Sequence, residues 1–204
     1  VLILVRHGQS TANAAGLLVG RTDAALTERG RDQARSLAEH LEDVVAVVSS
    51  PLQRARETAA LALPGLEVEL EEAFIEQDYG RYDGLAMAEV PEAEWRQFRE
   101  VHGAALGGGE SLDDVDARVH ARLSEWAEGS DSLLADPRRH LVVVSHVSPI
   151  KSAVAWALGV PGSVAWRLRL DNATLTTIGV RGGGAFLAGY NEAPAGRRVH
   201  STRR

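Results

Sequence analysis

The chain has 204 residues, 45% hydrophobic and 25% charged, which is enough for one well-buried α/β domain and too little for two. A formal charge of −6 argues against a general nucleic-acid binder, because phosphate-backbone affinity needs a basic surface; any phosphate site must be local. Cysteine is absent, which excludes disulfides, thiolate catalysis and Cys-ligated zinc, and with no membrane-length apolar stretch or secretory leader pattern the expected location is cytoplasmic.

Residues 1–5 are β-branched or leucine throughout and predict a strand buried on both faces, as in a parallel sheet covered by helices. Such sheets bind ligands beyond their carboxyl edges, so Arg6-His7-Gly8 stands at the mouth of a site. Gly8 is expected there to turn the backbone and leave room for an anion. Residues 10–25 read as irregular, after which Thr27 caps a helix whose Ala34, Leu37, Ala38 and Leu41 share one face. A second strand over 44–48 closes with Ser49-Ser50-Pro51, and Pro51 is expected in the first turn of a helix carrying Arg54, Arg56 and Thr58. A short strand over 66–70 leads into a polar, glycine-punctuated loop over 71–85 at the same edge.

Residues 86–128 read as a helical cap inserted beside the site, with helices over 89–101 and 112–126 and a flexible glycine run over 103–109 between them. A strand over 141–145 delivers His146, and Ser148-Pro149 opens a helix that stops at Gly159. Segments 164–170, 173–180 and 185–190 alternate and predict an antiparallel meander at one margin. The predicted organisation is a single domain over 1–191 and a polar, basic, loosely docked tail over 192–204.

Arg6, His7, Arg54, Glu76 and His146 thus fall at strand ends or in the loops just beyond them. Two planar guanidiniums suit a dianionic phosphate, and neither loses its charge at neutral pH. An imidazole is a competent nucleophile when neutral, and neighbouring arginines lower its proton affinity. A second imidazole can stabilise equatorial charge, and an enclosed Glu76 can protonate a departing alkoxide. His40, His102, His120 and His140 show no ligand-like clustering and read as solvated or capping groups, so no metal is implied. Arg138-Arg139 is placed at the opposite edge; Trp95, Phe98 and Trp126 are assigned to packing, and Glu110-Ser111 to a helix cap.

These residues resemble the histidine phosphatase superfamily. Arg6-His7-Gly8 is similar to its signature, residues 49–59 (SSPLQRARETA) to its second block and Val143-Val144-Ser145-His146 to its third. Glu76-Gln77-Asp78-Tyr79-Gly80 with Asp83-Gly84-Leu85 resembles the segment that supplies the acid, and Gly109-Glu110-Ser111 the opening of a later helix. The resemblance implies a three-layer α/β/α sandwich of the phosphoglycerate mutase-like kind, with a mostly parallel sheet, an antiparallel edge and a small helical cap. It implies that His7 becomes phosphorylated, that Arg6, Arg54 and His146 bind phosphate, that Glu76 acts as acid and then base, and that Asn13 adds a hydrogen bond. The expected function is metal-independent hydrolysis of a small phosphorylated metabolite, without cofactor, nucleic-acid or membrane partner; a homodimer stays open. The alternatives are a cofactor-dependent phosphoglycerate mutase and a non-catalytic phospholigand-binding regulatory protein. Val147 where mutases are expected to carry Gly, and no paired basic motif in the cap, favour hydrolysis; the complete catalytic set counts against a binding module.

Overall fold

The computed structural model describes residues 1–101, 103–128, 134, 136, 138–181 and 184–194. Six strands, β1 (Leu2–Arg6), β2 (Val44–Ser49), β3 (Val68–Leu70), β4 (His140–Ser145), β5 (Leu175–Arg181) and β6 (Gly184–Glu192), form one sheet in the order β3-β2-β4-β1-β5-β6. The first four run parallel, while β5 pairs antiparallel with β1 and β6 with β5. Alternation along β1 divides the core: Leu2 and Leu4 join one apolar cluster, Ile3 and Val5 another. Helices α5 (Leu112–Ala127) and α6 (Val147–Leu158) cover the first face. Helix α3 (Gln53–Ala62) and the 3₁₀ turn Leu37–His40 that follows α2 (Glu28–Ser36) cover the second, giving three layers.

Strand register places the site. Arg6 pairs with Ser145 at the carboxyl ends of β1 and β4, so His7 and His146 emerge side by side. Ser49 of β2 pairs with Val144 one strand over, bringing Ser50 to the same edge.

Several expectations change in detail. Residues 10–25 contain a one-turn helix, α1 (Thr11–Ala14), closed by reciprocal bonds between Ser10 and Asn13. Helix α3 begins at Gln53 rather than at Pro51, with Gln53 N donating to Asp23 at 2.6 Å. The predicted strand over 164–170 is a 3₁₀ turn, Gly162–Arg167; β5 is paired on both edges by β1 and β6, which leaves that segment no place beside β5. The helices of the segment read as a cap part company. Helix α4 (Glu92–Glu100) packs through Phe98 in a small cluster with Leu18, Tyr82, Val90 and Leu106. Helix α5 buries its Val115, Val119, Leu123 and Trp126 stripe in the main core, with Trp126 stacked on Phe74, so it is a layer of the sandwich.

Two glycines of the run, Gly107 and Gly109, are packed tightly against the loop that carries Gly80. A Cβ on Gly107 would lie 2.4 Å from Tyr79 O, one on Gly109 2.2 Å from Asp78 O, and one on Gly80 2.3 Å from Gly107 O. Backbone is locked against backbone there, and only glycine permits it. Among the described residues no helix is long and apolar enough to cross a membrane. The basic tail falls outside the described residues from 195 onward.

Candidate active site

His7 is buried at the end of β1, with Nδ1 2.7 Å from Gly8 O. A carbonyl only accepts, so Nδ1 carries the ring proton and Nε2 the lone pair. Burial first, then Arg54 and Arg6, hold this imidazole well below its ordinary titration range, against the opposing bond to Gly8 O. Gly8 earns its place by contact rather than by a tight turn: a Cβ there would lie 2.3 Å from Gly30 O, and Gly8 N donates to Thr58 Oγ1 at 3.0 Å.

The His146 ring centre lies 5.0 Å from that of His7, and His146 Nε2 is 2.7 Å from Ser50 Oγ. Its imidazole is likewise held well below the usual range, by burial first and then by Arg54, His7 and Arg6. Arg54 is fully buried; its Nη1 donates to Thr22 O at 2.7 Å and its Nη2 to Gly20 O at 2.6 Å. Those carbonyls are fixed in turn by Asp83, whose two oxygens accept from Gly20 N and Thr22 N at 2.8 Å each. Arg6 donates to Leu170 O across the edge. Among the described residues at this edge, three buried nitrogens have no hydrogen-bond partner: Arg6 Nε, Arg54 Nε and His146 Nδ1. Buried polar groups are ordinarily satisfied, so orphaned nitrogens on two cations and a neighbouring imidazole fit an anion.

Glu76 is buried at the N-terminus of α6, where Oε2 accepts from Val147 N at 3.0 Å and Oε1 from Ser148 N at 3.1 Å and Gln77 N at 2.8 Å. Helix α6 therefore anchors the carboxylate through its free amides. The adjoining Gln77 Nε2 donates to Glu110 O at 2.8 Å, and Asp78 N to Glu110 Oε2 at 3.0 Å. Arg118 binds both Glu110 oxygens and also donates to Ala73 O. Tyr79 OH lies 3.4 Å from Ser148 Oγ, and burial beside Glu76 pushes the phenol's titration up, keeping it a neutral donor.

The structure brings Arg6, His7, Arg54, Glu76 and His146 to one edge. Asn13 Oδ1 accepts from Ser10 N at 3.1 Å and from Asn172 Nδ2 at 3.2 Å, and the same Asn172 nitrogen donates to His7 O at 3.1 Å. Sequence reasoning missed Ser50, Thr58, Asn172, Ser148 and the brace formed by Glu110. Ser50 and Thr58 lie inside the second motif, but their use depends on which strand neighbours β2. Ser111 does cap α5, accepting from Asp114 N, while Glu110 beside it braces the loop that carries Glu76. His120 and His140 bond to main-chain oxygens, Arg139 O accepts from the Val1 amino group at the opposite edge, and His102 lies outside the described residues. Among the described residues no group of three His, Asp or Glu side chains is placed to hold a metal.

Residues 2–193 match the model of the histidine phosphatase superfamily, branch 1. Phosphoserine phosphatase 1 of Hydrogenobacter thermophilus is 38% identical, over 87% of this chain and 85% of its own. The probable phosphoglycerate mutase GpmB of Photorhabdus laumondii is 31% identical, over 97% and 93%. A solved mycobacterial glucosyl-3-phosphoglycerate phosphatase, in complex with VO3, superposes with a TM-score of 0.83 at 31% identity, covering 94% of this chain and 98% of that one. The chain belongs to the histidine phosphatase superfamily, branch 1, on a sheet and helix arrangement shared with its phosphatases.

Proposed function

We propose that this phosphomonoester hydrolase works without a metal, through a phosphohistidine on His7, on small phosphorylated metabolites. His7 Nε2 attacks phosphorus in line as the bond to the leaving oxygen breaks, and Glu76 in its acid form delivers a proton to that oxygen. Water then attacks the phosphorus and gives its proton to Glu76, and the P–N bond breaks with its electrons returning to Nε2. Arg6 and Arg54 neutralise the charge spread over the equatorial oxygens, and the neutral His146 adds a hydrogen bond, in a site too buried for water to do so. Asn13, tied through Asn172 to the His7 carbonyl, is assigned a weaker bond to the same phosphate.

One observation carries this reading: His7 Nδ1 is committed to Gly8 O, so the lone pair of Nε2 remains for attack beside the orphaned nitrogens of Arg6, Arg54 and His146. The variant His7→Ala is expected to lose both phosphate release and the acid-labile phosphoenzyme formed from labelled substrate, while the parent enzyme is indifferent to chelators. Chelator-insensitive turnover by His7→Ala would overturn the assignment. The mutase reading is favoured by the likeness to GpmB. Interconversion of phosphoglycerates that requires 2,3-bisphosphoglycerate, at a rate above hydrolysis, would put it first.

A further inference from the structure

Six basic side chains among the described residues are not exposed, namely Arg6, Arg31, Arg54, Arg118, Arg122 and Lys151. Three of them are ion-paired: Arg31 with Glu57, Arg118 with Glu110 and Arg122 with Glu71. The other three have no carboxylate of the described residues within ion-pair distance, and two of these, Arg6 and Arg54, are the cations assigned above to phosphate. Withdrawing a cation from water without a counter-ion is costly, so each such group in an active site points to an anion supplied by a ligand.

Lys151 is the third, and it is the only lysine of the chain. It lies on α6 one turn beyond Ser148, whose N–H holds Glu76 and whose hydroxyl meets Tyr79 and Gln77. Positions three apart share a helix face, so the ammonium rises from the row that anchors the acid. Its Nζ donates to Ala165 O at 2.9 Å, which leaves two further N–H donors, and its charged neighbours are Glu76 and Arg6. With a phosphate on Arg6 and Arg54 and its leaving oxygen at Glu76, as proposed above, Lys151 stands within electrostatic reach of both Glu76 and Arg6.

We infer that Lys151 forms a subsite for a carboxylate on the leaving group, with the Tyr79 hydroxyl as neutral neighbour, so that the preferred substrates are phosphomonoesters of hydroxy acids. The inference rests on the hydrolase reading above. A single ammonium matches a monoanion, whereas a second phosphate would call for the paired cations seen at Arg6 and Arg54.

The test compares substrates that differ in that group: O-phosphoserine against O-phosphoethanolamine, and 3-phosphoglycerate against glycerol 3-phosphate. For the parent enzyme, kcat/KM is expected to be at least about 10-fold higher for the acid of each pair, the range of one charge-assisted hydrogen bond. Lys151→Met, which keeps the apolar stem, is expected to remove that preference and to leave the carboxylate-free substrates within about 3-fold. Equal losses on both members of a pair would mean that Lys151 only braces the turn at Ala165, and would overturn the inference. So would a parent enzyme with no preference, a result that needs no variant to fold. Faster turnover of fructose 1,6-bisphosphate than of phosphoserine, lost in Lys151→Met, would replace the carboxylate with a phosphate. Absence of phosphate release from every substrate would overturn the hydrolase reading itself, whereas release without preference would overturn only the subsite.

Discussion

In the phosphate corner every functional side chain lies within about one turn of a regular element: Arg6 ends β1, His7 follows it, Arg54 is the second residue of α3 and His146 caps α6. Glu76 sits on a loop between two 3₁₀ turns, Glu72–Phe74 and Gly80–Tyr82, and is held by the amides of α6 and the neighbouring Glu110 brace. The first half inherits its geometry from strand register. The second is assembled from bonds between segments about 30 to 70 residues apart, so it can be loosened without disturbing the sheet.

Substituting Glu76→Gln should expose that division most sharply. General acid catalysis is worth roughly 10²- to 10⁴-fold, so kcat/KM on alkyl phosphates, which reports the transfer to His7, should fall by that order. The loss should shrink on p-nitrophenyl phosphate, whose leaving group needs no proton. An equal loss on both would remove Glu76 from the acid role. The phosphate corner should respond differently to Arg54→Lys, which keeps the charge but loses the planar fork that spans Gly20 O and Thr22 O and presents a further N–H beside them. A loss of roughly 10²- to 10³-fold in kcat/KM is expected, the scale of one electrostatic donor, and it should be the same for alkyl and aryl phosphates. Weaker inhibition by orthovanadate should accompany it.

The same contrast explains what could be read from sequence. Arg6-His7-Gly8, Ser49 through Arg54 and the approach to His146 are contiguous, and the β-branched runs before them announce the strands that aim them. Their shared edge followed from parallel strands alone. The brace on Glu76 was not legible, because Glu110 and Asp78 are neighbours only once the glycine run locks against the acid loop. That run looked flexible since sequence shows glycine's freedom and conceals the backbone it must approach. The contact of Gly8 is concealed in the same way, its partner Gly30 lying in α2. Residues 164–170 alternate like a strand, yet both sides of β5 are taken by β1 and β6, which is a property of the assembled sheet.

Glu110 offers a gentler test of the acid half. Glu110→Gln removes its charge from Arg118 and from Arg21, 3.1 Å away, while a carboxamide oxygen can still accept from Asp78 N. Because Glu110 acts through the loop, kcat/KM on alkyl phosphates should fall by about 10-fold and the fall should shrink on aryl phosphates, as for Glu76. Phosphate inhibition should stay unchanged. A uniform loss across leaving groups, with a lowered Tm, would reduce Glu110 to a structural ion pair.

The smallest effect separates the halves by pH. His7 and His146 titrate in the folded chain well below the ordinary value of 6.5. Between the folded and unfolded values the unfolded chain binds more protons, so stability rises with pH across that window and is lost as pH falls below about 6.5. Each histidine contributes at most about 1.4 kcal/mol per pH unit there. The acids held low by hydrogen bonds, Asp114, Asp136 and Asp171, carry folded values depressed from 3.8; their contribution is present above that value and disappears only as pH falls through the folded ones. Calorimetric Tm measured from pH 7.5 to 5 should therefore fall in the parent chain, and fall less steeply in His146→Gln, which keeps a polar side chain but cannot take up a proton. An unchanged slope in that variant would mean that the phosphate corner does not exclude protons as its buried arginines require.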